Sequence, residues 1–129
     1  PGARRFEYGG RTFSYDTAMA AGVEYVDALG VETVREHQRE LLEYAHQGLN
    51  RIAGAHVRSP KPPFETTGIL TISLDNLGGT EASAALRERW KIITRPALRA
   101  SSVRVSLAPY TTLEDVDVLL GAFDTLSKE

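Results

Sequence analysis

The sequence of 129 residues contains no cysteine, which excludes disulfides, thiolate nucleophiles and cysteine-ligated metal sites. It also lacks a long hydrophobic run. Every apolar stretch falls short of the roughly 18 to 20 residues that a membrane span needs, and no charged region followed by an apolar core opens the chain. Neither sign of charge dominates, with 15 basic residues against 17 acidic ones, so the electrostatic footprint of a nucleic-acid binder is missing. No internal repeat or low-complexity tract is visible. These absences lead to the expectation of a soluble cytoplasmic protein. A hydrophobic fraction of 42% over this length suits one domain with a modest core. The opening "PGARRFEYGG" lacks the polar lead-in common at a natural terminus, which suggests a piece of something longer.

What is present reads as alternating helix and strand signals. From Asp16, which can cap a first turn, Met19, Val23 and Val26 recur at helical spacing, and Gly30 suits a left-handed C-terminal cap. A second helix runs from about Thr33 to Ile52, with Val34, Leu41, Ala45, Leu49 and Ile52 on one side and Glu36, Arg39, Glu40 and Glu43 largely on the other. Three prolines within four residues make "HVRSPKPPFETTG" a loop. "GILTISL" alternates as a half-buried strand, and "DNLGGTEASAALRERW" gives a turn, a Thr80 cap and a short helix to about Trp90. "KIIT" and "SVRVSL" are strand candidates. A last helix follows, with Thr111 and Glu114 at capping-box spacing and Val116, Leu119, Leu120, Phe123 and Leu126 as its buried stripe. The order helix, helix, strand, strand, helix, strand, strand, helix predicts an α+β fold. Its small, mostly antiparallel sheet of three or four strands would be covered by helices on one face, as a two-layer sandwich.

Chemistry is scarcer. His37, His46 and His56 lack the three- or four-residue spacing of helical metal ligands and read as solvated or capping histidines, so no metal site is expected. Glu114, Asp115 and Asp117 sit where carboxylates complement a helix dipole. "LGGT" lacks the spacing of a phosphate-cradling loop. Arg104 differs in kind: alternation puts Val103, Val105 and Leu107 on one strand face and Arg104 with Ser106 on the other. Such an arginine is either a solvated charge or a planar, bidentate carboxylate binder, and pattern alone leaves both open.

Three stretches carry a family resemblance. "VRVSLAPYTTLEDVDVLLGAF" resembles the closing motif of the class V aminotransferase family of pyridoxal-phosphate (PLP) enzymes, whose chains end with a hydrophobic-Arg-hydrophobic-Ser strand, a Tyr-Asn-Thr turn and an acidic helix. "RRFEYGG" resembles the family's Arg-Phe-Glu-x-Gly-Thr segment between the large cofactor domain and the small C-terminal domain. "AMAAGVEYVDALGVETVREHQRELLEYAHQGLNRI" is similar to the helical connection that follows, with His37 at the place of a family histidine.

The resemblance implies a C-terminal small domain over residues 1–129: a crossing segment at 1–15, the helical connection at 16–52 and an α/β sandwich at 53–129. It implies that Arg104 binds the α-carboxylate of an amino-acid substrate. Gly10 and Thr12, or Arg11, would take the place of the family's Gly-Thr, whose threonine reaches the PLP phosphate of the neighbouring subunit of a homodimer. The Schiff-base lysine belongs to the large domain upstream, and none of Lys61, Lys91 and Lys128 looks like it. No catalytic residue is then expected in this stretch, which alone would be inactive. Aminotransferase, carbon-sulfur lyase and epimerase outcomes remain open. The loop "RPALRASS" has no cysteine where the cysteine desulfurase branch carries its persulfide nucleophile, so desulfuration by that route is excluded. The alternative is a free-standing α+β ligand-binding or protein-interaction module built around Arg104 and the proline loop.

Overall fold

The computed structural model describes Gly2, residues 13–60 and residues 67–129. The expectations on Gly10, Arg11, Thr12 and Lys61 lie outside the described residues. The chain divides into two compact units, Pro1–Thr33 and Val34–Glu129.

In the first unit, α1 spans Phe13–Leu29. It begins three residues before Asp16, which therefore lies inside the first turn, where its charge meets the helix dipole, and is not the cap. Gly30 ends the helix at φ +82°, its N–H donating to the Asp27 carbonyl at 3.0 Å, a left-handed stop that favours glycine. No residue of α1 is buried: Phe13, Met19 and Val23 are 77%, 74% and 62% exposed.

The second unit is the sandwich. Helix α2 spans Val31–Leu49, and its part in this unit buries Leu41, Leu42, Ala45, His46 and Leu49. After it come β1 (Ala55–Val57), β2 (Ile69–Leu74), α3 (Gly79–Trp90), β3 (Arg95–Ala97), β4 (Ser102–Ser106) and α4 (Leu113–Leu126). The strands form one sheet in the order β1-β2-β4-β3 with every neighbouring pair antiparallel, which is the α+β arrangement expected. Leu70, Ile72 and Leu74 of β2 and Val103 and Val105 of β4 point to one side. There they join Leu41, Leu42 and Leu49 of α2, Ala82 and Leu86 of α3, and Val116, Leu119, Phe123 and Leu126 of α4 in a single core. No described helix is long and apolar enough to cross a membrane.

Several expectations shift. "KIIT" is not a strand. Lys91 closes α3 in a left-handed conformation (φ 62°) and the Ile92 N–H turns back to the Leu86 carbonyl, so the chain reaches the sheet four residues later, at Arg95. Pro96 is tolerated because β3 is an edge strand. The start of the supposed proline loop is likewise paired, as β1. Thr80 does not cap α3, which is preceded by Gly78 with no side-chain cap. The capping box of α4 is Thr112 with Asp115, one residue beyond the expected pair: the Asp115 N–H donates to Thr112 Oγ1, and the Thr112 N–H to the Asp115 carboxylate. Thr111 instead accepts from the Ala108 N–H through its Oγ1, and Leu120 is half-buried while Ala122 completes the stripe.

The glycine pair of "LGGT" has a packing reason. A Cβ on Gly79 would meet the Ser102 carbonyl oxygen at 2.1 Å, and the Gly79 N–H already donates to the Ala100 carbonyl at 2.7 Å. Between β3 and β4, Leu98, Arg99 and Ala100 all take positive φ (47°, 55° and 67°), a tight left-handed turn held by Ser101, whose N–H and hydroxyl both donate to the Leu98 carbonyl.

Candidate functional site

Arg104 is an exposed residue in the middle of β4, on the sheet face opposite the one packed against α2, α3 and α4. Its position is fixed by register: Thr71 of β2 stands opposite it on one side and Arg95 of β3 on the other. Residues directly opposite on antiparallel strands share a face and have Cα atoms about 4.5 to 5.5 Å apart, so Arg95 and Arg104 present two guanidinium groups side by side. Neither side chain makes a hydrogen bond or ion pair with a described residue. Two like charges held opposite each other destabilise a sheet unless an anion stands between them.

The row continues beyond Thr71. The Arg58 N–H donates to the Thr71 carbonyl at 2.7 Å, which carries the β1–β2 register one residue past Val57 and places Arg58 beside Thr71. Arg58 Nε donates to Ser73 Oγ at 2.8 Å on the same face. The open face thus bears Thr71, Arg104 and Arg95 in one line across three strands, with Arg58, one residue past the end of β1, beside Thr71. Asp75, the one carboxylate on these rows among the described residues, is held by His56 at 2.8 Å.

Two side chains of α2 fix the turn that follows Arg104's strand. Gln38 Nε2 donates to the Leu107 carbonyl at 2.8 Å, and His37 Nε2 donates to the Thr111 carbonyl at 2.9 Å; the acceptor being a carbonyl, the proton lies on Nε2. Gly68 completes the knot. Its carbonyl accepts from the Leu107 N–H at 2.7 Å, its φ is +67°, and a Cβ there would lie 2.7 Å from both Gln38 Nε2 and the Leu107 oxygen. Tyr110, at the tip of this turn, is 86% exposed.

The three histidines therefore part company: His37 is a half-buried brace, His56 pairs with Asp75, and His46, expected to be solvated or capping, is 3% exposed within the core side of α2. No group of His, Asp or Glu that could hold a metal ion exists among the described residues. The acidic cluster is structural, since Asp115 caps α4 and Asp117 accepts a 2.6 Å hydrogen bond from Tyr44 Oη. That bond to Asp117, followed by the Asp117 charge, raises the Tyr44 pKa above its ordinary value. Arg95 and Arg58 were not legible as site residues in the sequence. The signal that could have found Arg95 was the strand at "RPA", which puts it in register with Arg104.

The comparisons with known proteins agree with one another. A family model described as Aminotransferase class-V matches residues 2–119. The chain is 29% identical over 143 residues to a probable cysteine desulfurase 2 of Mycobacterium leprae, covering 100% of this chain and 34% of that protein. It is 30% identical over 130 residues to a cysteine desulfurase of Haloferax volcanii, covering 93% of this chain and 30% of that one. The fold is similar to that of an apo cysteine desulfurase from Thermococcus onnurineus, with a TM-score of 0.86 and 22% identity, covering 98% of this chain and 34% of the other. This chain thus spans about a third of the length of the relatives it matches, and the family match covers nearly all of it: the chain belongs to the class-V aminotransferase family.

Proposed function

We propose that these 129 residues are the substrate-side domain of a PLP-dependent enzyme acting on an amino acid, and that Arg104, with Arg95 beside it, binds the substrate's α-carboxylate. The observation that carries this reading is the Arg104–Arg95 pair: two guanidiniums in register on a rigid sheet, with no ion-pair partner among the described residues. A carboxylate seated between them would remove their repulsion and accept planar, charge-assisted hydrogen bonds. The coverage of about a third of each relative supports a domain that works with further chain.

The residues described here do not fit PLP itself. Lys91 is exposed and its Nζ donates a hydrogen bond to the Glu88 carbonyl at 3.0 Å, and Lys128 is paired with Asp124, so neither is a desolvated amine fit to form a Schiff base. The phosphate contact assigned to Gly10 and Thr12 lies outside the described residues. The cofactor, as the electron sink, is therefore assigned to chain outside this domain, and the role of this domain is to bind and orient substrate. Neither face of the sheet nor the β3–β4 turn offers a cysteine, so a persulfide held on that turn is not part of the reading. Transamination, lyase and epimerase chemistry all begin from the same bound carboxylate.

We assign the exposed apolar residues of α1, Phe13, Met19 and Val23 among them, to contact with the rest of such an enzyme or with the second subunit of a homodimer. The isolated chain is then expected to self-associate; sedimentation showing a strict monomer at high concentration contradicts this assignment.

The main reading is tested by Arg104→Lys in the longer PLP-loaded polypeptide. Lysine keeps the charge and loses the fork, so amino-acid affinity should fall about 10- to 100-fold, the worth of one or two charge-assisted hydrogen bonds, with cofactor content unchanged. Unchanged affinity with a large loss of melting temperature would make Arg104 a structural residue instead.

A further inference from the structure

We propose that the surface formed by the end of α3 and the edge strand β3 is a docking site for an acidic segment of a partner polypeptide that carries an apolar side chain beside its carboxylates. The proposal is independent of the role given to Arg104. A cleft of about 780 Å3 runs between α3 and β3, with Ser83, Arg87, Glu88, Lys91, Thr94 and Arg95 in its walls. Ser83, Arg87 and Lys91 follow one another at four-residue spacing, so one side of the helix brings all three to the same cleft. Charge there is mostly of one sign. The Arg87 side chain makes no hydrogen bond or ion pair with a described residue, and Lys91 Nζ donates one hydrogen bond, to the Glu88 carbonyl at 3.0 Å, keeping two N–H groups for another acceptor. Arg95, beside Arg104 by register, adds a third cation at the edge of the sheet. Glu88 is the one carboxylate among the described lining residues, so the cleft carries an excess of positive charge in a chain whose net charge is -2. The dipole of α3 favours cations in its last turn, which accounts for their sign but not for the cleft beside them.

An apolar half adjoins the basic one. A second cavity, of about 450 Å3, is lined by the end of α3, the end of β4 and α4, and it shares Lys91 and Ile93 with the first. Ile93 is 82% exposed at this boundary, and Trp90, Tyr110 and Val118 line the second cavity with it. Asp115, the carboxylate of that cavity, is held in the α4 cap, while Arg89 stacks on Trp90 at 4.3 Å and pairs with Glu129. A lone phosphate or carboxylate would use the cations and leave Ile93 bare. A segment with carboxylates next to an apolar side chain complements both halves at once. Because β3 is three residues long and contains a proline, strand addition along its edge offers few ladder hydrogen bonds, and side chains carry the recognition.

The test is the anisotropy of a fluorescein-labelled peptide of four glutamates followed by two leucines, titrated separately with the longer PLP-loaded polypeptide and with the 129-residue chain. Both should bind it, and in the shorter chain the emission of Trp90, its only tryptophan, should shift as unlabelled peptide seats. Arg87→Gln should weaken binding about two- to fivefold, the scale of one exposed charge pair, and Ile93→Ser about tenfold, the scale of one buried apolar side chain. Peptides with glutamine for glutamate or serine for leucine should lose affinity in step, and Arg104→Gln should leave affinity unchanged. No binding to the longer polypeptide, whatever the shorter chain does, overturns the proposal, since the surface is then covered by the enzyme's own chain. Displacement of the peptide by an equal concentration of inorganic phosphate, with no effect of Ile93→Ser, makes the cleft a site for small anions and overturns it as well. A loss in Arg104→Gln as large as that in Arg87→Gln places the peptide on the open face and overturns it too, while an unaffected peptide leaves the carboxylate reading of Arg104 to its own test.

Discussion

The two faces of one sheet, made by the same strands, have opposite chemistry. On the helix side, Leu70, Ile72, Val103 and Val105 alternate inward and are buried against α2, α3 and α4. On the other side the same strands place Thr71, Arg104 and Arg95, with Arg58 at the end of the row. A one-residue slip of β4 would exchange the faces, burying Arg104 and exposing Val103 and Val105, so the hydrophobic side fixes the register that lines up the arginines. Packing and charge are thus separated by side-chain parity: the inner face holds the fold, and the outer face carries the exposed guanidinium groups.

The comparison is broken most severely from the inside. Phe123 of α4 has no exposure and is the largest fully buried side chain, so Phe123→Ala should cost about 3 to 5 kcal/mol in urea unfolding. A cost near that of a surface substitution would mean that the core is not shared by the helices and sheet as described. A smaller loss is expected where the two sides of the β3–β4 turn meet α3. Gly79→Ala forces a Cβ into the Ser102 backbone, and overpacking of this kind costs about 1 to 3 kcal/mol; because Ser102 begins the strand that carries Arg104, carboxylate affinity should fall with it.

The smallest effect lies on the helix surface. Tyr44 donates to Asp117, and its raised pKa means that the folded state holds the phenolic proton more tightly than the unfolded chain. The contribution of that bond is therefore fully present below the usual tyrosine range near pH 10 and is lost as pH rises through the raised value. In a tyrosine-resolved titration Tyr44 should ionise above the ordinary tyrosine value near pH 10, and Asp117→Asn should lower its midpoint. No change on that substitution would remove Asp117 as the cause.

The inner face was far more legible in the sequence than the outer one. Period-two alternation in "GILTISL" and "SVRVSL" and the stripe Val116, Leu119, Phe123 and Leu126 located β2, β4, α4 and the core, because burial imposes a repeating pattern. Arg104 followed from the same alternation. The edge strands did not. Each is three residues long, too short to show a period, and β3 contains a proline that reads as a loop until its edge position is known. Arg95 and Arg58 were hidden for that reason, since they come to lie beside Arg104 and Thr71 through cross-strand register and not through spacing along the chain. His46 was misread because a single polar residue on an otherwise apolar helix side leaves no mark on the helical pattern.

The separation of the two faces is tested most directly by measuring urea stability and carboxylate affinity on the same preparation of Arg104→Ala. The account predicts a stability change within about 0.5 kcal/mol of the parent chain, as for an exposed side chain without partners, together with loss of the carboxylate-induced shift at Arg95. A stability loss of several kcal/mol with the Arg95 response to carboxylate intact would contradict it.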